Sequence, residues 1–160
     1  MTIACREWYV RLILASVAIG AACVVREFPQ VSEKVPTFRV LVVEDERLIR
    51  WSIAETLASA GHTVIEAEDG ATAIRALAAA AEPIDAVILD YRLPDSNDLA
   101  LLANIRRLSP RSPVILMTAF GTPEVTKGAL ELGVYQVLNK PFEMHDLERV
   151  LLAACDSRPD

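Results

Sequence analysis

Cysteine is scarce in this chain, and its three copies, Cys5, Cys23 and Cys155, are too scattered for a zinc site or a disulfide framework. They read as reduced bystanders. Glycine is scarce too, with six in 160 residues against 52% hydrophobic content, which excludes a glycine-rich disordered chain and favours one packed domain of ordinary size. There is no excess of positive charge to hold a nucleic acid. The net charge is −6, and the first 36 residues carry four basic and three acidic groups, so the remainder carries −7. Direct nucleic-acid binding is therefore not expected.

A long hydrophobic run is also missing. The longest, Leu12 to Val25, has 14 residues, preceded by Arg6 and Arg11 and followed by Arg26. As a helix it would reach about 21 Å, short of the roughly 30 Å hydrocarbon core. Residues 1–36 thus form an extension and linker with several readings: a dispensable or wrongly started leader, a membrane anchor through residues 8–25, an export signal, or an added packing helix. From Glu27 to Thr37, two prolines among polar residues read as the linker itself.

From residue 38 the pattern becomes regular. Val40 to Val43, Ala86 to Leu89, Val114 to Met117 and Val134 to Leu138 have the length and β-branched content of strands buried on both faces, and Thr63 to Ile65 is a weaker fifth. Between them run helical stripes such as Ile49, Ile53 and Leu57, or Leu147, Val150, Leu151 and Ala154. Gly61 and Gly133 fall where helices should end, and Thr122-Pro123 suits a helix start. Five strand-helix repeats predict a parallel sheet covered on both sides, with ligands at the carboxyl ends of the strands.

Polar residues follow these runs at once. Glu44 and Asp45 follow the first, Asp90 the third, Thr118 the fourth, and Lys140 comes shortly after the fifth. In the strand order 2-1-3-4-5 the first and third strands are neighbours, so three carboxylates converge. Their repulsion calls for a hard divalent cation, for which magnesium is suited. Each residue alone has an ordinary reading as a helix cap, a turn acid or a solvated lysine. It is the ordered set that argues for a site.

The motifs VLVVEDE at 40–46, LDYRLPD at 89–95, MTAFG at 117–121 and LNKPF at 138–142 resemble those of the response-regulator receiver domains of two-component signalling. The resemblance implies a flavodoxin-like (βα)5 three-layer sandwich over residues 37–156, with 157–160 as a tail. It implies Asp90 as phosphoacceptor, with Mg2+ held by Glu44, Asp45, Asp90 and the backbone carbonyl of Arg92. Lys140 and Thr118 would contact the phosphoryl oxygens, and Pro141 would follow a cis peptide. The implied partners are a sensor histidine kinase or histidine phosphotransfer protein, and a downstream protein target. A cytoplasmic domain that is no enzyme beyond its own phosphorylation and dephosphorylation follows.

The sequence departs from the family pattern at Val137, where an aromatic switch residue is usual; Tyr135, two residues earlier, is the candidate substitute. Asp98 stands where a glycine is common, and Phe120 is placed to slow hydrolysis of the acyl phosphate. Trp51, Tyr91 and His62 are expected at the surface or only partly packed. Two alternatives are a degenerate receiver kept as an interaction module, and a phosphatase of the haloacid-dehalogenase class. The second wants an aspartate two residues after Asp90, where Arg92 stands. A phosphate loop is excluded by the lack of glycine from Val43 to Arg47. With about five residues after Cys155, output is expected through protein contacts.

Overall fold

The computed structural model describes residues 36–157 except Asn97 and Phe120; the leader, with Cys5, Cys23 and the apolar stretch 8–25, lies outside the described residues. The chain alternates β1 (Arg39–Val43), α1 (Arg47–Ser59), β2 (Thr63–Ala67), α2 (Gly70–Ala79), β3 (Ala86–Asp90), α3 (Ala100–Leu108), β4 (Val114–Thr118), α4 (Pro123–Glu131), β5 (Gln136–Asn139) and α5 (Met144–Asp156). The strands form one parallel sheet in the order β2-β1-β3-β4-β5, the flavodoxin-like arrangement expected.

Strand alternation divides the core in two. Leu41, Val43, Val87, Leu89, Val114 and Leu116 point to the face covered by α2, α3 and α4, where Ala73, Leu102, Ile105 and Ala129 meet them. Val40, Val42, Ile88, Ile115 and Met117 point the other way, against Ile53 and Leu57 of α1 and Leu147 and Leu151 of α5. Both faces of the central strands are therefore dry, which is why their sequences are continuously apolar. Among the described residues, no helix is long and apolar enough to cross a membrane. Cys155 is buried on the face packed by α1 and α5.

Two glycines close helices. Gly61 (φ 93°) and Gly133 (φ 79°) donate to the carbonyls of Ala58 and Leu130, while His62 and Val134 reach back to Leu57 and Ala129. These paired bonds satisfy the last carbonyls of α1 and α4 and need the left-handed conformation glycine allows. They also correct a boundary. Val134 belongs to the apolar run, but its N–H is spent on the helix end, so β5 starts only at Gln136 and extends to Asn139. At the other end of α4, Thr122 accepts the N–H of Val125 at 3.3 Å, with Pro123 in the first turn, as its sequence suggests.

Candidate functional site

The carboxyl ends of β1, β3, β4 and β5 meet at one edge of the sheet. β1 pairs with β3 through Val43 and Leu89, so Glu44 and Asp90, one residue beyond each, emerge side by side. Ligand atoms of Glu44, Asp45 and Asp90 lie within 4.8 Å of one another. Glu44 is completely buried and Asp90 nearly so, whereas Asp45 is exposed. Asp45 also borders a cleft of about 410 Å3 with Tyr91, Arg92, Leu93 and Pro94.

Lys140 is drawn across the site from the end of β5. Its Nζ bonds Glu44 Oε2 at 2.6 Å and Asp90 Oδ1 at 2.9 Å. The cis peptide between Lys140 and Pro141 is present as expected, and the Lys140 N–H donates to the Thr118 carbonyl at 2.7 Å. Thr118 ends β4, buried, beside Asn139 of β5 and one residue past the Asp90–Met117 pair. Gly121 packs so closely on Thr118 and Asn139 that a β-carbon there would collide with Asn139 Oδ1.

The electrostatics identify what the site still needs. Burial pushes the Glu44 and Asp90 carboxyls above the ordinary carboxylate range, even though Lys140 opposes the shift in both and the Arg92 N–H opposes it in Asp90. Burial alone would lower Lys140; bonds to the two carboxylates outweigh it and hold the ammonium above its usual value. Three carboxylates, two of them buried, against one ammonium leave two negative charges at this edge of the sheet. An all-oxygen donor set with a charge deficit of two fits a hard divalent ion.

A family model described as the response regulator receiver domain matches residues 40–152. The chain belongs to the response regulator receiver domain family. Its receiver domain is 37% identical over 107 residues to the DNA-binding transcriptional regulator NtrC of Escherichia coli K12, covering 67% of this chain and 22% of that protein. Across such curated relatives the chain spans about a fifth to a quarter of their length. NtrX from Brucella abortus superposes with a TM-score of 0.69 at 32% identity, over 76% of this chain and 28% of that one. The receiver domain of the sensor histidine kinase PA1611 from Pseudomonas aeruginosa PAO1 was solved with a magnesium ion coordinated in its active site cleft. It superposes with a TM-score of 0.67 at 29% identity, over 76% of this chain and all of that one.

Other expected residues of the receiver domain are placed apart from the acids. Val137 pairs with Leu116 and packs, half-buried, on the face of α2, α3 and α4. Tyr135 stands before β5, its N–H bonded to the Val114 carbonyl at the opposite end of β4. Four residues of strand, about 13 Å, separate that level from Thr118. Tyr135 is therefore not brought to the acidic site. Asp98 accepts the Ala100 N–H at 2.9 Å, so this departure serves the start of α3. Trp51 is exposed and Tyr91 partly packed, as expected.

His62 corrects the expectation for it. It is buried, stacked on Phe38 at 5.6 Å, and its Nδ1 accepts the Phe38 N–H at 3.2 Å. It lies three residues past the end of α1, where its N–H returns to the Leu57 carbonyl at 3.0 Å as part of the helix closure at Gly61. Phe120 lies outside the described residues.

Two further contacts were not assigned from the sequence. Asp95 accepts the N–H groups of Gly70 and Ala71, both at 2.9 Å, and so caps α2 from the loop after β3. Arg50 of α1 reaches the backbone of the acidic pair. Asp95, the last residue of the LDYRLPD motif, acts across 24 and 25 positions, and Arg50 across five and six, onto backbone groups that side-chain periodicity does not encode.

Proposed function

We propose that this receiver domain, taken as residues 37–156, is a phosphoacceptor that receives a phosphoryl group on Asp90 from a histidine kinase or a histidine phosphotransfer protein. The observation that carries the reading is the convergence of Glu44, Asp45 and Asp90 beside the Lys140 ammonium, with two negative charges unbalanced. Glu44, Asp45, Asp90 and the Arg92 carbonyl would hold Mg2+. When bound, the ion supplies charge neutralisation and orientation of the phosphoryl oxygens.

The remaining work falls to the chain. An oxygen of Asp90 forms a bond to phosphorus as the bond from phosphorus to the donor imidazole nitrogen breaks, and the imidazole departs neutral, with a proton on its other nitrogen. Lys140, already 2.9 Å from Asp90, shifts its ammonium to a phosphoryl oxygen. Thr118 donates its hydroxyl to another. The product stays on the protein, so the chain turns over no separate substrate apart from later hydrolysis at Asp90.

Phosphorylation adds about −1.5 to −2 charges and shifts the population toward an arrangement read by a downstream protein. With Val137 in place of an aromatic residue, this arrangement does not depend on a ring swinging at that position. Supply of phosphoryl groups from a kinase places the domain in the cytoplasm.

The test is intact mass after incubation with acetyl phosphate and Mg2+. Wild type should gain one phosphoryl group and Asp90→Asn none. An adduct on both proteins, or on neither, overturns the assignment.

A further inference from the structure

The two carbonyls that carry the acidic pair are tied to one side chain. Arg50 Nη1 donates to the Glu44 carbonyl at 2.6 Å and to the Asp45 carbonyl at 3.2 Å. Its Nε lies 3.4 Å from Glu66 Oε2 on β2. The Arg50 side chain is mostly buried, while that of Glu66 is half-exposed. On the other side, the Glu44 N–H is held by the Ala67 carbonyl at 3.1 Å. The turn that presents both acids is thus clamped between β2 and the first turns of α1.

We propose that Arg50 is a positioning residue for the divalent cation, setting the backbone of Glu44 and Asp45 so that their carboxylates converge on the ion with little left to order. Two consecutive carbonyls leaving a strand would otherwise be solvated and free to turn. A planar guanidinium with several fixed donors can hold both at once, and Glu66 fixes its orientation. Its positive charge lies behind the backbone, not among the carboxylates, so it supports the acids without competing for the ligand oxygens as Lys140 does. The inference rests on the reading that Glu44 and Asp45 hold a divalent ion.

The experiment uses the full chain with Mn2+ as the probe, its free concentration read by electron paramagnetic resonance. Acetyl phosphate labelling is then followed against Mg2+ concentration. Arg50→Ala should weaken Mn2+ binding about tenfold, as removal of groups that orient metal ligands does. The Mg2+ needed for half-maximal labelling should rise by the same factor, with the labelling rate at saturating Mg2+ retained. Arg50→Lys should recover part of the affinity, since an ammonium also donates to carbonyls. Should Arg50→Ala fail to fold, Glu66→Gln removes only the outer anchor and should weaken Mn2+ binding about threefold, the scale of one part-exposed ion pair. Wild-type Mn2+ affinity in the folded variants, or loss of the saturated rate with affinity unchanged, overturns the proposal. Failure of wild type itself to bind Mn2+ would instead remove the reading beneath it.

Discussion

Replacing Lys140 with methionine keeps the aliphatic stem and removes the ammonium that bonds Glu44 at 2.6 Å and Asp90 at 2.9 Å. With an effective dielectric constant of about 20, the gross attraction is about 6 kcal/mol for each pair. Desolvation of the three groups consumes most of this. What can be measured is the state left behind, two buried carboxylates without a counter-charge. Breaking a buried pair costs about 3 kcal/mol at the low end, and the low end applies because each carboxyl can escape by taking a proton. For a domain of this size that lowers Tm by about 10 °C.

The pH dependence fixes the cause. Burial raises Glu44 and Asp90 above the ordinary carboxylate range. A raised acid stabilises the fold fully below that range and loses this contribution as pH climbs through the raised values. Without Lys140 to oppose burial, both values rise further. The deficit of Lys140→Met should therefore be widest at neutral pH and narrow as pH falls toward the carboxylate range. Thermal unfolding by circular dichroism, in a chelator, from about pH 5 to about pH 8, reads it directly. Added Mg2+ should raise Tm more in the variant than in wild type, because the cation replaces the missing charge. Equal stability at neutral pH, or a gap that widens on acidification, would refute the reasoning.

Asp95→Ala removes two N–H acceptors and a negative charge from the start of α2, and should cost about 2 kcal/mol in urea unfolding; Asp95→Asn should recover part of it, and an unchanged midpoint for the alanine variant would count against the cap. His62→Phe keeps the stack on Phe38 but removes the acceptor of its N–H, costing about 1 kcal/mol at neutral pH. Burial holds His62 below its ordinary range, so its part in stability is full above that range and lost as pH falls through the lowered value. The gap between this variant and wild type should thus close on acidification, and a constant gap would show that His62 does not titrate with folding.

The fold was legible because β1, β3 and β4 are buried on both faces and advertise it as continuous apolar runs. β2 is harder to find: as an edge strand it has exposed residues at Thr63 and Glu66 and only half-buried ones at Val64 and Ile65, and its extent to Ala67 exceeds its apolar stretch. The start of β5 was misplaced because Val134 is apolar for a helix-end contact, not a ladder position. The acids, Thr118 and Lys140 were legible because strand ends concentrate polar residues on an apolar background. Arg50 and Asp95 were not, since an arginine on a helix and an aspartate in a loop look like solvent groups until their backbone partners are placed. His62 was misjudged for the converse reason, a polar side chain serving as a core ring.

The ion pair between Lys140 and Glu44 joins residues 96 positions apart in the chain. No fragment that ends before Lys140 can assemble it. A nascent or clipped molecule that has already paired β1 with β3 holds the acids but has nothing to bridge them. Under the proposed function, the set of groups that would accept a phosphoryl group is complete only when the whole sheet is.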